Sequence, residues 1–172
     1  MNKETVLAAD VYLAPGAHLC GNVTLGARCS VWYNAVLRGD LCAITVGAET
    51  NIQDCCVLHT DARHTLTIGC GCTIGHGTVL HGCAVGDNTL VGMGSTVLSG
   101  AVIGRDCLIG AGSLVPGDVV VPAGSLAYGN PVHIIRPLSE REIEANRMSA
   151  RQYRTLAEKA DAEQISDAAN GC

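Results

Sequence analysis

Residues 85–121 read VGDNTLVGMGSTVLSGAVIGRDCLIGAGSLVPGDVVV, with an aliphatic at Val85, Val91, Val97, Ile103, Ile109, Val115 and Val121, one every six residues. The same period runs upstream through Leu7, Leu13, Leu19, Leu25, Val31 and Leu37, then Val46, Ile52 and Leu58, then Ile68, Ile74 and Leu80, and onward to Ala127. A six-residue period of this persistence is the signature of a parallel β-helix, built of units that cannot bury an apolar face alone. Each hexad is a short strand plus a corner, and three hexads close a triangular coil. Every third aliphatic then stacks on its equivalent one coil below at about 4.8 Å. The expected fold is therefore all-β, a parallel β-helix of hexapeptide repeats with a narrow interior of Leu, Val and Ile ladders.

The composition agrees. The chain of 172 residues has 21 glycines, no Phe and 3% aromatics, whereas ordinary cores use rings to fill volume. Its length suits one domain plus an appendage. A net charge of −5 without a run of Lys or Arg argues against nucleic acid and against anionic membrane surfaces as partners. No stretch approaches 18 consecutive apolar residues, and Met1-Asn2-Lys3-Glu4 does not open a signal peptide, which predicts a cytoplasmic protein.

Two positions before the aliphatics runs a column of small residues, among them Ala17, Ala35, Thr50, Thr78, Thr89, Ser95 and Ser113. Five of the ten cysteines, Cys29, Cys56, Cys72, Cys83 and Cys107, stand in that column. They read as small buried residues rather than redox or metal groups. The period is interrupted by three extra residues around Arg38-Gly39-Asp40 and four around Asp61 to His64, and insertions in a solenoid emerge as loops on one face. Hexads stop near Tyr128-Gly129-Asn130-Pro131. The capping box Ser139-Glu140-Arg141-Glu142 then opens a helix with Ile143, Asn146, Ala150, Tyr153, Ala157 and Ala160 on one stripe. The predicted organisation is a β-helix over 1–134 and a C-terminal helix over 135–172, frayed after about Asp161.

The insertions add residues without adding hexads, so Leu37, Leu58 and Leu80 share one wall and Arg38, His59 and His81 form one column. His76 stands on the previous wall, in a column with Tyr33, Asp54 and Met93. Three histidines suit a catalytic zinc-type site, which keeps one position open for water. Within one prism two are adjacent and the third points around a corner. Three prisms about a threefold axis resolve this, with His59 and His81 of one chain facing His76 of the next, so the site is expected only in a homotrimer. His18, His64 and His133 lie outside these columns and read as surface residues.

Arg38-Gly39-Asp40, Asn51-Ile52-Gln53-Asp54, His59, the spacing of His76 and His81, and Tyr128-Gly129-Asn130-Pro131 together resemble the gamma-class carbonic anhydrases and their bacterial relatives over roughly residues 6–160. The resemblance implies a left-handed coil and a trimer. It implies His59, His76 and His81 as metal ligands, Gln53 and Tyr128 orienting the bound water or hydroxide, and Asn130 placing the substrate. Arg38 with Asp40 or Asp54 would form a salt bridge across the subunit interface. The implied activity is reversible hydration of carbon dioxide to bicarbonate by a metal-bound hydroxide, a lyase reaction. Zn2+ is the expected metal, with Fe2+ and Co2+ also compatible with three imidazoles. Leu41 and Ala62 stand where active family members carry acidic proton-shuttle residues, which implies low activity, with Asp61 or His64 as substitutes. Two competing classes are a hexapeptide-family acyltransferase or thioesterase acting on coenzyme A esters, and a catalytically weak metal-binding scaffold.

Overall fold

The computed structural model describes residues 4–170, with the side chains of 163–170 excepted. Residues 18–128 form a parallel β-helix with three walls, and the stacking register follows the hexads. Leu37, Leu58, Leu80, Val97 and Val115 stack on one wall. Leu25, Val46, Ile68, Val85, Ile103 and Val121 stack on the second. Val31, Ile52, Ile74, Val91, Ile109 and Ala127 stack on the third. Nearly all of these are fully buried and belong to one continuous core, whereas Leu7 and Leu13, in the outermost coil, are 40% and 37% exposed. They have the right period but only one neighbouring coil to cover them.

The corners explain the glycine content. Asn34, Cys55, Gly77, Gly94 and Gly112 occupy equivalent corners with φ between 58° and 68°. That left-handed conformation is least costly for glycine and tolerated by Asn. Gly86 is needed for another reason: a Cβ there would lie 2.4 Å from the backbone nitrogen of Arg105 on the next coil.

The small-residue column proves to be a ladder of donors. Thr50 Oγ1 donates to the Gly69 carbonyl at 2.7 Å, Cys72 Sγ to Gly86 at 3.1 Å and Thr89 Oγ1 to Gly104 at 2.8 Å. Cys56 Sγ donates in the same way to Gly75 at 3.1 Å. Burial pushes the thiols of Cys56, Cys72 and Cys83 up to about 12. All the described cysteines are free thiols. Two outcomes are expected. Cys72→Ala should cost about 1 kcal/mol in thermal unfolding, the net worth of one hydrogen bond and a small volume. Brief alkylation of the native protein, read by mass spectrometry, should modify exposed Cys20, Cys55 and Cys70 and spare Cys56, Cys72 and Cys83.

The two insertions differ. The first does not leave the sheet: the strand Val36–Val46 stays continuous, and its register against His18–Leu25 jumps from Gly21↔Gly39 to Val23↔Ile44. Buried Thr60 pins the bulge by accepting from Cys42 N–H and donating to the Cys42 carbonyl, at 3.0 and 3.1 Å. The second, between the strands Val57–His59 and Leu66–Ile68, is a true loop.

Beyond the coils, the strand His133–Pro137 pairs antiparallel with Ser125–Tyr128, and the boundary expected at 134/135 falls inside it. The helix α1, Glu140–Asn170, extends past Asp161, where the polar composition suggested fraying. Its capping box forms: Ser139 N–H donates to Glu142 Oε2 at 2.9 Å and Glu142 N–H to Ser139 Oγ at 3.4 Å. The predicted stripe packs on the third wall of its own chain. Asn146, Ala150 and Ala157 are buried, Tyr153 meets Trp32 edge-on with centroids 5.4 Å apart, and Asn146 Nδ2 donates to the Cys107 carbonyl. Among the described residues no helix is long and apolar enough to cross a membrane.

Candidate metal centre

Arg38, His59 and His81 lie on consecutive rungs of the first wall, as counting by hexads requires. The rings of His59 and His81 stand with centroids 5.1 Å apart, and His59 Nδ1 lies 3.2 Å from His81 Nε2. What each ring does with its other nitrogen fixes what these two atoms are.

His59 Nε2 is 3.0 Å from Asp40 Oδ1. Desolvation would raise the Asp40 carboxyl, but hydrogen bonds from Arg38 and His59 outweigh it and hold the group below its ordinary range. An ionised carboxylate only accepts, so the proton of His59 is on Nε2 and its Nδ1 carries the lone pair. His81 Nδ1 is 2.8 Å from Ser99 Oγ, and that hydroxyl donates its one proton to Asp61 Oδ2 at 2.8 Å. The serine oxygen can therefore only accept from His81, which puts the proton on Nδ1 and the lone pair on Nε2.

With both rings neutral, as they would be on a metal, two lone pairs face each other at 3.2 Å. Two imidazoles on one tetrahedral Zn2+, with Zn–N of about 2.0–2.1 Å, place their nitrogens about 3.3 Å apart. The donor set and its spacing fit a divalent cation, and the outward nitrogens are held as those of metal-binding histidines usually are. Among the described residues, no three of His, Cys, Asp or Glu gather to hold a metal within one chain.

His76 stands around the corner from this pair. Its Nδ1 is 2.6 Å from Asp54 Oδ2, and its Nε2 is 3.2 Å from the Tyr153 hydroxyl. By the same logic its lone pair is on Nε2, where the phenol of α1 donates to it. Burial, then the charge of Asp54, raises the Tyr153 phenol, which keeps that proton in place.

Gln53 is buried beside this corner, its Oε1 accepting from His76 N–H at 3.1 Å and its Nε2 donating to Asn51 Oδ1 at 3.1 Å. Tyr128 is not near it. The ladder that contains Gln53 continues through Gly75, Gly92 and Gly110 to Tyr128, four rungs and about 19 Å away at 4.8 Å per rung. Exposed Asn130 lies at the same end of the stack as Tyr128. The pairing of Gln53 with Tyr128 is thus not found within a chain, and the phenol that does reach a candidate ligand is Tyr153. Sequence reasoning placed Tyr153 on the apolar stripe of the helix but had no signal for what its hydroxyl touches. Arg38 pairs with Asp40 of its own chain, while Asp54 takes His76 rather than the arginine.

A family model described as bacterial transferase hexapeptide (six repeats) matches residues 65–99 and 82–117. A Methanocaldococcus jannaschii protein named "Probable carbonic anhydrase" is 50% identical over 153 residues, covering 89% of this chain and 96% of that one. An Arabidopsis thaliana protein named "Gamma carbonic anhydrase 1, mitochondrial" is 39% identical over 94% of this chain and 61% of its own length. The chain belongs to the gamma-class carbonic anhydrase family. This gamma-class chain also matches a solved Bacillus cereus structure, provisionally named an acetyltransferase, with a TM-score of 0.91 and 34% identity, covering 93% of both chains. The gamma-class backbone is thus shared by proteins whose names point to two different reactions.

Proposed function

We propose that this chain is a carbonic anhydrase that interconverts carbon dioxide and bicarbonate at a divalent-metal centre in a homotrimer. His59 and His81 come from one chain and His76 of the partner subunit completes the set. The observation that carries the reading is the 3.2 Å approach of His59 Nδ1 to His81 Nε2, each ring held from behind by a hydrogen bond at its other nitrogen. A bound Zn2+, Fe2+ or Co2+ would supply a Lewis acid that brings the pKa of water down to about 7. Asp40 holds the His59 proton on the far nitrogen and so keeps Nδ1 free. Asp54 likewise holds the His76 proton on Nδ1. Gln53 braces the His76 backbone, and the Tyr153 hydroxyl donates to the His76 Nε2 lone pair, a bond that a metal at that nitrogen would replace. Leu41 is 53% exposed and Ala62 is exposed, so the rim lacks a carboxylate at both places.

Coenzyme A-dependent acyl transfer is the second reading, favoured by the fold match to the Bacillus cereus protein. It has no use for two converging lone pairs. Elemental analysis of the purified oligomer beside stopped-flow carbon dioxide hydration and acetyl-coenzyme A titration separates the readings. Near-stoichiometric metal with buffer-dependent hydration supports the first. Metal-free protein that binds acetyl-coenzyme A overturns it.

A further inference from the structure

The loop inserted between Leu58 and Ile68 has no part in closing the coil, and its folding is dominated by one side chain. Asp61 Oδ1 accepts the backbone N–H of Arg63 at 2.8 Å and of His64 at 2.9 Å, and His64 Nδ1 approaches both Asp61 oxygens, at 3.0 and 2.9 Å. The loop therefore wraps around this carboxylate, whose Oδ2 also accepts from the Ser99 hydroxyl at 2.8 Å. Gly82 makes room for the arrangement: a Cβ at that position would lie 2.8 Å from the His64 Cβ and 3.0 Å from Ser99 Oγ. Three separate stretches, the insertion, the residue after His81 and a corner one coil on, converge on a single hydrogen bond.

We infer that Ser99 and Asp61 are a positioning unit for His81, in which the carboxylate orients the serine hydroxyl and the serine oxygen holds the proton on Nδ1, so that Nε2 always presents its lone pair beside His59. The inference rests on the metal-centre reading above for its purpose, though not for its geometry. It also accounts for the second insertion. His59 receives its carboxylate directly, from the first insertion, whereas His81 lies one coil further on and receives its carboxylate through a serine. Asp61 suits the part because the backbone N–H groups of Arg63 and His64 hold its carboxylate in place behind Ser99. Neither residue touches the atoms that would react.

The test uses the assembled protein and two readouts. In metal-free, 15N-labelled wild type, long-range nitrogen–proton spectra should show His81 as the Nδ1–H form. In Ser99→Ala the ring should become a mixture of both forms, and zinc affinity, measured by competition with a chelator, should fall about 10- to 100-fold. Ser99→Thr should restore both properties, and Asp61→Asn, which keeps an acceptor but not the charge, should fall between. A Ser99→Ala protein with wild-type tautomer and zinc affinity within threefold of wild type would overturn the inference. If Ser99→Ala does not fold, equal zinc affinity in Asp61→Asn and Ser99→Thr overturns it instead. A wild-type protein that takes up no zinc sinks the metal reading, while its His81 tautomer still decides the positioning unit.

Discussion

Chains carrying His76→Ala, mixed one to one with chains carrying His81→Ala and reassembled, should recover about a quarter of the wild-type metal content, whereas either variant alone should hold none. The number follows from the geometry. His59 and His81 are adjacent on one wall, with lone pairs 3.2 Å apart, and His76 faces another way on the preceding corner. A site is intact only where a chain that keeps His81 faces one that keeps His76. In a trimer of mixed composition this happens once, and random assembly makes about three trimers in four mixed. The measurement is metal per chain after reassembly and removal of free ion. Metal retained by the His76→Ala variant alone would remove His76 from the set. A mixture as empty as its components would show that the set closes within a subunit.

The second large effect concerns proton removal. Hydration of carbon dioxide releases a proton, and the groups around this site are poorly suited to carry it. Leu41 and Ala62 are exposed and non-ionisable. Asp61 is held ionised far below neutral pH, and His64 spends its Nδ1 on Asp61. Turnover should therefore rise with buffer concentration, and Leu41→Glu should raise the rate at low buffer by about tenfold or more, within the range of general acid–base catalysis. Stopped-flow rates across a buffer series check this. A fast rate independent of buffer in the wild type would mean that a group other than these carries the proton. A fully metallated protein inactive at every buffer concentration would move the assignment toward acyl transfer or a binding scaffold.

Much of this was legible by counting, because a solenoid converts sequence separation into spatial position. Leu37, Leu58 and Leu80 had to stack once the insertions were recognised as additions between hexads, and the alignment of His59 with His81 followed. The count was less informative wherever side chains turn back on the structure. Nothing in the hexad pattern says that Thr60 pins the first bulge, that Ser99 lies behind His81, or that Tyr153 bends its hydroxyl to His76. Tyr128 shows the opposite hazard. Its motif stands in the right order along the chain, yet order says nothing of height, and four rungs of glycine-lined ladder separate it from Gln53. The cysteines needed the structure in a different way. Spacing identified them as small residues, but only the contacts of Cys56 and Cys72 show that they serve as hydrogen-bond donors to the next corner.

The strand His133–Pro137 runs against the direction of the strand it joins, at the end of the third wall. A parallel solenoid can in principle be extended without limit, since the last coil offers the same unpaired row of N–H and C=O groups as every coil before it. Here the last row is answered by a strand of opposite sense, and the neighbouring edge at Leu114 is answered by Gly129 and Val132. A second molecule arriving at that end meets, on the third wall, a strand of opposite sense instead of the edge of another coil. On that wall the parallel repeat is ended by its own chain, through a reversal of strand sense that breaks the register a further coil would have to match.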